Sequence, residues 1–250
     1  MPRAFRTIAA SGVYHVVMRG IGRQIIFESD DDYGAILRKL AQLRDEGCLT
    51  VYAWCLMTNQ IHVLLREGSG SLGDAMRRLG VSYAMRFNLR TGHVGHVFQD
   101  RYASEPVEDD AYFLTVLRYI HNNPVKAGVG ARDLYPWSSY HEYVGSPALC
   151  DTSLALDMLG GRGRFVEFSA QEDDAMPLDI ESRRKRLGDA EALAAAHELF
   201  GPNVQAAFGS IDRQQRNELL RRLRDVGVSI RQAERITGVG RGVVSNAYRA

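Results

Sequence analysis

Gln60 and His62 stand two apart in the apolar stretch "MTNQIHVLL", Met57 to Leu65. Side chains alternate along a strand, so Gln60, His62 and Leu64 share one face while Ile61, Val63 and Leu65 share the other. An imidazole nitrogen and an amide oxygen can both ligate a divalent cation, and such a mixed set suits magnesium or manganese better than zinc. The stretch is then half of a metal site, a metal site with an amide ligand, or a strand with a hydrogen-bonded structural histidine, which is the commoner case for such a pair taken alone. A second pair lies in "LRYIHNNPVKAG", Leu117 to Gly128, where Tyr119 and Asn123 are four apart and face one side of a helix near its end. A tyrosine that attacks a phosphodiester conserves the backbone bond energy as a phosphotyrosine and can religate without ATP, provided a metal polarises the phosphate. The plainer reading is a core tyrosine followed by an Asn-Pro helix end.

These pairs need a scaffold, and 250 residues with 45% apolar content can bury a core and form one or two domains. No run of about 18 uncharged apolar residues occurs, and "MPRAFRTIAASGVYHVVMRG" lacks the apolar middle and small-residue cleavage site of a secretory signal. The expectation is a soluble, cytoplasmic protein with no membrane partner. Cys48, Cys55 and Cys150 form no CxxC pair, which points to core thiols rather than a disulfide framework or zinc knuckle. The net charge of +1 is unevenly spread: residues 1–145 hold 16 Lys+Arg against 15 Asp+Glu, residues 146–209 hold 6 against 11, and residues 210–250 hold 9 against 4. A basic C-terminal end fits either a polyanion contact or a solvated, arginine-rich helix face.

"GVYHVVMRG" alternates and predicts a strand over Val13–Arg19. "SDDDYGAILRKLAQLRDEG" predicts a helix capped by Ser29, with Ile36, Leu37, Leu40 and Leu43 at helical spacing and a stop at Gly47. "CLTVYAWCLM" and "QIHVLLRE" read as a hairpin turning at "TN". A second helix follows over about Ser71–Leu89 with the stripe Leu72, Met76, Leu79, Tyr83 and Phe87, then a fourth strand in "HVFQDRYASEPV", then a helix from Asp109 to about Asn122 that ends near Pro124. The order strand, helix, strand, strand, helix, strand is that of a ferredoxin-like antiparallel sheet in an α+β fold. Residues 146–209 read as linker and accessory helices, with an acidic "QEDDAMPLDIE", a basic "RRKR" and one alanine-rich helix near Glu191–Phe200. "DRQQRNELLRRLRDVG", "SIRQAERITG" and "RGVVSNAYR" read as three short helices over 210–250 in a helix-turn-helix layout, a small three-helix cap being the structural alternative.

"VYHVVMRG", "MTNQIHVLL", "GHVFQDRYAS" and "RYIHNNPVKAGV", in that order, resemble the single-tyrosine HUH transposases, and specifically the REP-associated tyrosine transposases, over residues 1–145. The resemblance implies that Tyr119 is the nucleophile forming a 5′-phosphotyrosine on single-stranded or hairpin DNA. It also implies that His62 and Asn123 ligate Mg2+ or Mn2+. The family motif is histidine, hydrophobic residue, histidine; this chain has Gln60-Ile61-His62, with Thr58 where the pattern has proline. Gln60 is then an amide ligand in place of imidazole, which retunes the metal, weakens it, or marks a descendant that no longer cleaves. His15 on the first strand can supply a substitute nitrogen or stabilise the sheet through a hydrogen bond. His93 and His96 have no partner cysteines and read as packing and groove residues, whereas Arg19, Arg23 and Arg101 are candidates for phosphate contacts. The C-terminal unit resembles a helix-turn-helix of the replication-initiator type, with Glu234 where that motif has a small residue and with Arg241, Ser245 and Asn246 on the face that would enter a major groove. Two functions follow, a DNA strand transferase and a DNA-binding protein that keeps the fold without cleavage, and Gln60 separates them. A small-molecule-binding ferredoxin-like regulator ranks last. A homodimer is compatible with all three.

Overall fold

The computed structural model describes residues 7–171, 177, 189–209 and 211–249. The chain divides into two compact units, residues 1–180 and 181–250. The acidic and basic runs between Gln171 and Gly188 lie, apart from Gln171 and Pro177, outside the described residues.

The first unit runs β1 (Val13–Arg19), α1 (Asp30–Asp45), β2 (Leu49–Met57), β3 (Gln60–Glu67), α2 (Leu72–Thr91), β4 (Ala103–Pro106) and α3 (Asp110–Lys126), followed by α4 (Tyr140–Val144), α5 (Ser153–Leu159) and α6 (Arg162–Ala170). Its sheet has the order β2-β3-β1-β4 with every neighbouring pair antiparallel, which is the ferredoxin-like arrangement expected from the element order. Strand alternation sorts the side chains into two layers. Tyr14, Val16, Met18, Ile61, Val63 and Leu65 pack with Ile36, Leu40 and Leu43 of α1 and with Leu72, Met76, Leu79, Tyr83 and Phe87 of α2. Val13, Cys55 and Leu64 face the other way and pack with Phe113, Val116, Leu117, Tyr119 and Ile120 of α3. Each fully buried aliphatic side chain in these layers stabilises the fold by about 1.5–3 kcal/mol. A bulge in β2 sets Tyr52 and Ala53 against the single residue Leu64, so both fall in the α3 layer and the alternation restarts at Trp54.

Local chemistry explains the boundaries. The Asp32 carboxylate accepts from the Ser29 and Glu28 amides at 3.1 and 3.0 Å and closes the start of α1. Asp109 caps α3 by accepting from the Tyr112 amide at 2.7 Å.

Two expectations needed correction. The fourth strand is shorter than "HVFQDRYASEPV". Continuing the Val17–Ala103 register would pair Gly20 with Asp100, but Gly20 bridges Phe98, so two extra residues loop out and only Ala103–Pro106 remain strand. The last helix does not stop before Pro124; it runs on to Lys126, with Pro124 buried in its final turn. Proline there removes one amide donor, and the bond from the Ala127 amide to the Asn123 carbonyl, at 2.9 Å, carries the turn past it.

The helices after α3 brace it. The Ser169 carbonyl at the end of α6 accepts from the Asn122 amide group at 3.3 Å and from the Arg132 guanidinium, while Arg118 donates to Gln171 at 3.1 Å and lies over the Phe168 ring at 4.4 Å. Arg118 and Asn122 flank Tyr119 in sequence, so α6 holds the outer side of the turn that carries the tyrosine. In α4, the Glu142 carboxylate accepts from the Trp54 indole at 2.9 Å and from the amides of Ala148, Leu149 and Cys150 at 2.8, 2.7 and 2.7 Å.

The second unit comprises α7 (Asp189–Phe200), α8 (Val204–Gly209), α9 (Arg213–Asp225), α10 (Ile230–Thr237) and α11 (Arg241–Arg249) around Leu220, Leu223, Ala233, Ile236 and Val244. Asp212 and Ser229 cap α9 and α10. Gly238 takes the left-handed conformation, φ 73°, that ends α10 and begins the short turn into α11. Among the described residues no helix is long and apolar enough to cross a membrane.

His121 of α3 is fully buried, edge-on to Tyr140, Tyr143 and Phe165, with Nε2 2.9 Å from the Ser139 hydroxyl. Burial, then the charge of Arg132, lowers its pKa to about 3. An imidazole held neutral by folding binds its proton more readily in the unfolded chain, so this group's contribution is intact above pH 6.5 and is lost as pH falls from there towards 3. By pH 4 the loss is on the order of 3 kcal/mol. We expect the denaturation midpoint to fall between pH 7 and pH 4, and to fall less steeply in His121→Asn.

Candidate active site

The site lies on the α3 side of the sheet, where β1 and β3 run side by side. In their register Val17 opposes His62 and Arg19 opposes Gln60, and His15 lies one step along the same face. His62 and His15 are 2% and 0% exposed. The Gln60 Oε1 is 3.0 Å from His62 Nε2, and His62 Nδ1 is 3.3 Å from His15 Nε2, so the three side chains form one hydrogen-bonded chain across two strands. The two imidazoles stack with centroids 5.6 Å apart.

α3 lays Tyr119 on this chain. Its ring stands edge-on to both imidazoles, 5.9 Å from His15 and 6.1 Å from His62, and the Lys126 ammonium lies 4.6 Å from its centroid. Tyr119 is 7% exposed. Asn123 follows one helical turn later, with its amide nitrogen buried and without a hydrogen-bond partner.

The electrostatics combine neutral imidazoles with charges of both signs. Burial lowers the His15 pKa well below the ordinary imidazole value, with His62 adding to the effect, and burial followed by the Arg19 charge lowers His62 to about 4. Both rings are therefore neutral near pH 7; Arg19 is the cation acting on His62, Lys126 lies over the Tyr119 ring, and Glu105 of β4 is the register partner of His15 on the same sheet face.

The donor chemistry fits a divalent cation. Neighbouring ligands of a six-coordinate ion bonded at about 2.1 Å lie roughly 3 Å apart, the separation of Gln60 Oε1 and His62 Nε2. The buried Asn123 amide nitrogen is a donor, so Asn123 could ligate an ion only with its amide turned to present the oxygen. Among the described residues no group of three or more His, Cys, Asp or Glu gathers into a cage, so substrate oxygens and water would complete the shell.

The remaining candidates are dispersed. Arg19 ends β1 and is buried beside His62, unlike a surface arginine tracking a backbone. Arg23 is exposed in the loop after β1 with φ 65°, a left-handed conformation strained for a side-chain-bearing residue, and the Asn59 amide group donates to its carbonyl at 3.1 Å. Arg101 is exposed in the segment that loops out before β4. His93 and His96 are likewise in the loop after α2, His93 against the Phe87 ring. In the second unit Arg241 and Asn246 are exposed and Ser245 half-buried on α11, and Glu234 pairs with Arg241 at 2.9 Å. Sequence reasoning missed Lys126 and the brace from α6. Lys126 could have been found, because it lies seven residues after Tyr119 on the same helix.

Removing the Gln60 acceptor should leave the His62 N–H without its partner. Gln60→Leu is expected to lower stability by about 1–3 kcal/mol in denaturant unfolding, with no change in the dependence on denaturant concentration.

Among curated proteins none matches the chain. Solved structures are similar to it, two of which follow. One, a REP-associated tyrosine transposase bound to a REP hairpin, is 17% identical, with 62% of this chain and 96% of that chain covered at a TM-score of 0.49. The other, a protein of Deinococcus radiodurans R1 described as a transposase, is 20% identical, with 48% and 97% covered at a TM-score of 0.34. Residues 9–123 match the family described as "Transposase IS200 like", a span that runs from before β1 through Asn123 and takes in Gln60, His62 and Tyr119.

Proposed function

We propose that this chain is a DNA strand transferase that cleaves and rejoins single-stranded or hairpin DNA through Tyr119. The observation that carries the reading is the convergence of Tyr119, His62 and Gln60 on one sheet face beside Arg19 and Lys126. In the reaction the Tyr119 phenol oxygen forms a bond to the scissile phosphorus and the P–O3′ bond breaks. The 5′ end is left on the tyrosine, the 3′ oxygen takes a proton, and the phenol gives one up. Rejoining is the reverse, with an incoming 3′-hydroxyl. Arg19 and Lys126 offer positive charge to the phosphate, and the buried Arg19 attracts it more strongly than the exposed Lys126 does. His62, Gln60 and Asn123 would hold Mg2+ or Mn2+, which when bound polarises the phosphate. The helix-turn-helix of α10 and α11 presents Arg241, Ser245 and Asn246 for a duplex groove, and Arg241 must exchange Glu234 for a phosphate or base to take part.

A second reading, a DNA-binding chain that no longer cleaves, is favoured by one observation: Gln60 Oε1 is already engaged by His62 Nε2. Labelled hairpin DNA incubated with the chain and Mn2+, followed by denaturing electrophoresis, separates the two. We expect a covalent protein–DNA band that is absent in Tyr119→Phe, with hairpin affinity unchanged within about twofold because only the nucleophilic oxygen is lost. Hairpin binding without a band in the wild type would establish the second reading, and a band that persists in Tyr119→Phe would move the nucleophile elsewhere.

A further inference from the structure

The chain Gln60–His62–His15 also determines where its protons sit. An amide oxygen only accepts, so His62 Nε2 carries the proton in the 3.0 Å bond to Gln60. Two stacked imidazoles at 2% and 0% exposure with a guanidinium nearby stay neutral and hold one ring proton each. His62 Nδ1 is then bare, and His15 Nε2, 3.3 Å away, must be the donor to it. His15 Nδ1 is left as a buried acceptor with no hydrogen-bond partner. Turning the Gln60 amide would reverse every bond and leave a buried N–H orphaned at His15 instead; the structure holds the orientation with Oε1 towards His62.

We propose that His15 is a positioning residue for the metal site: it holds His62 in the Nε2–H form and so masks the ring nitrogen that faces Gln60. The proposal rests on the reading of His62 and Gln60 as metal donors. A cation can take His62 Nε2 only when both rings exchange their protonated nitrogens. The His62 Nε2 proton departs to solvent, the His15 Nε2 proton crosses to His62 Nδ1, and one proton from solvent arrives at His15 Nδ1, so the net charge of the pair is unchanged. His62 then donates from Nδ1 to His15, the outward hydrogen bond that a metal-bound imidazole usually makes. The exchange costs free energy because it leaves the His15 Nδ1–H buried without an acceptor. A polar residue that can either donate or accept at position 15 removes the preference.

The test is long-range 1H–15N correlation of the imidazoles in the full-length, metal-free chain, with the His62 signals identified by their loss in His62→Gln. We expect both His62 and His15 to be protonated at Nε2, and His62 to populate both tautomers in His15→Gln. Mn2+ uptake followed by electron paramagnetic resonance should be tighter in His15→Gln by about tenfold. His62 protonated at Nδ1 in the metal-free wild type overturns the proposal, as does an unchanged His62 tautomer in His15→Gln. Mn2+ uptake by His15→Gln equal to or weaker than that of wild type, including no uptake by either, overturns the masking. The tautomer measurement involves neither DNA nor cleavage, so a chain that forms no covalent adduct would fail the proposed function and leave this result standing.

Discussion

Two imidazoles in contact under a helix are tolerable only if both remain uncharged and each finds a hydrogen-bond partner. That constraint organises the α3 side of the sheet. His15 and His62 sit on adjacent strands and satisfy each other, and Gln60 terminates the chain at the hairpin end. A second histidine in place of Gln60 would lengthen the run of imidazoles beside Arg19; an amide supplies an acceptor without a titratable group. The packing of Tyr119 edge-on to both rings depends on the same neutrality, because its layer holds Phe113, Leu117 and Ile120 rather than water.

From this constraint the roles of distant parts follow. The bulge at Tyr52 and Ala53 keeps β2 in phase with the hairpin so that Cys55 lies opposite His62 on the α3 side. The α6 brace on Arg118 and Asn122 fixes the turn of α3 on which Tyr119 sits, giving the helices after residue 145 a structural part in the site although they lie beyond the family match. Lys126 is available to the Tyr119 ring only because α3 continues through Pro124.

Much of this was legible from residue pattern. Val13–Arg19 alternates cleanly, "TN" separates two apolar runs by a two-residue turn, and Ser29 and Asp109 mark helix starts, so the ferredoxin-like order and the shared face of Gln60 and His62 could be read directly. What could not be read depended on register and on non-local contacts. Nothing local says that His15 falls one step from the residue opposite His62, because that follows from how β1 pairs with β3. The looped-out residues before β4 arise from a mismatch of two registers, which only the assembled sheet reveals. The local rule reads Pro124 as a stop, yet in a final turn it removes a single amide donor, and the helix carries it, buried, on to Lys126.

The phenol oxygen of Tyr119, held against the buried imidazole pair, is the atom proposed to carry DNA. The most direct measurement is mass spectrometry of tryptic peptides from the chain after incubation with hairpin DNA and Mn2+, since cleavage after Arg118 and Lys126 isolates Tyr119 from every other tyrosine. The account predicts a nucleotide remnant on the peptide 119–126. A remnant on a peptide containing Tyr102 or Tyr112, or none on any peptide of a chain that binds the hairpin, would contradict it.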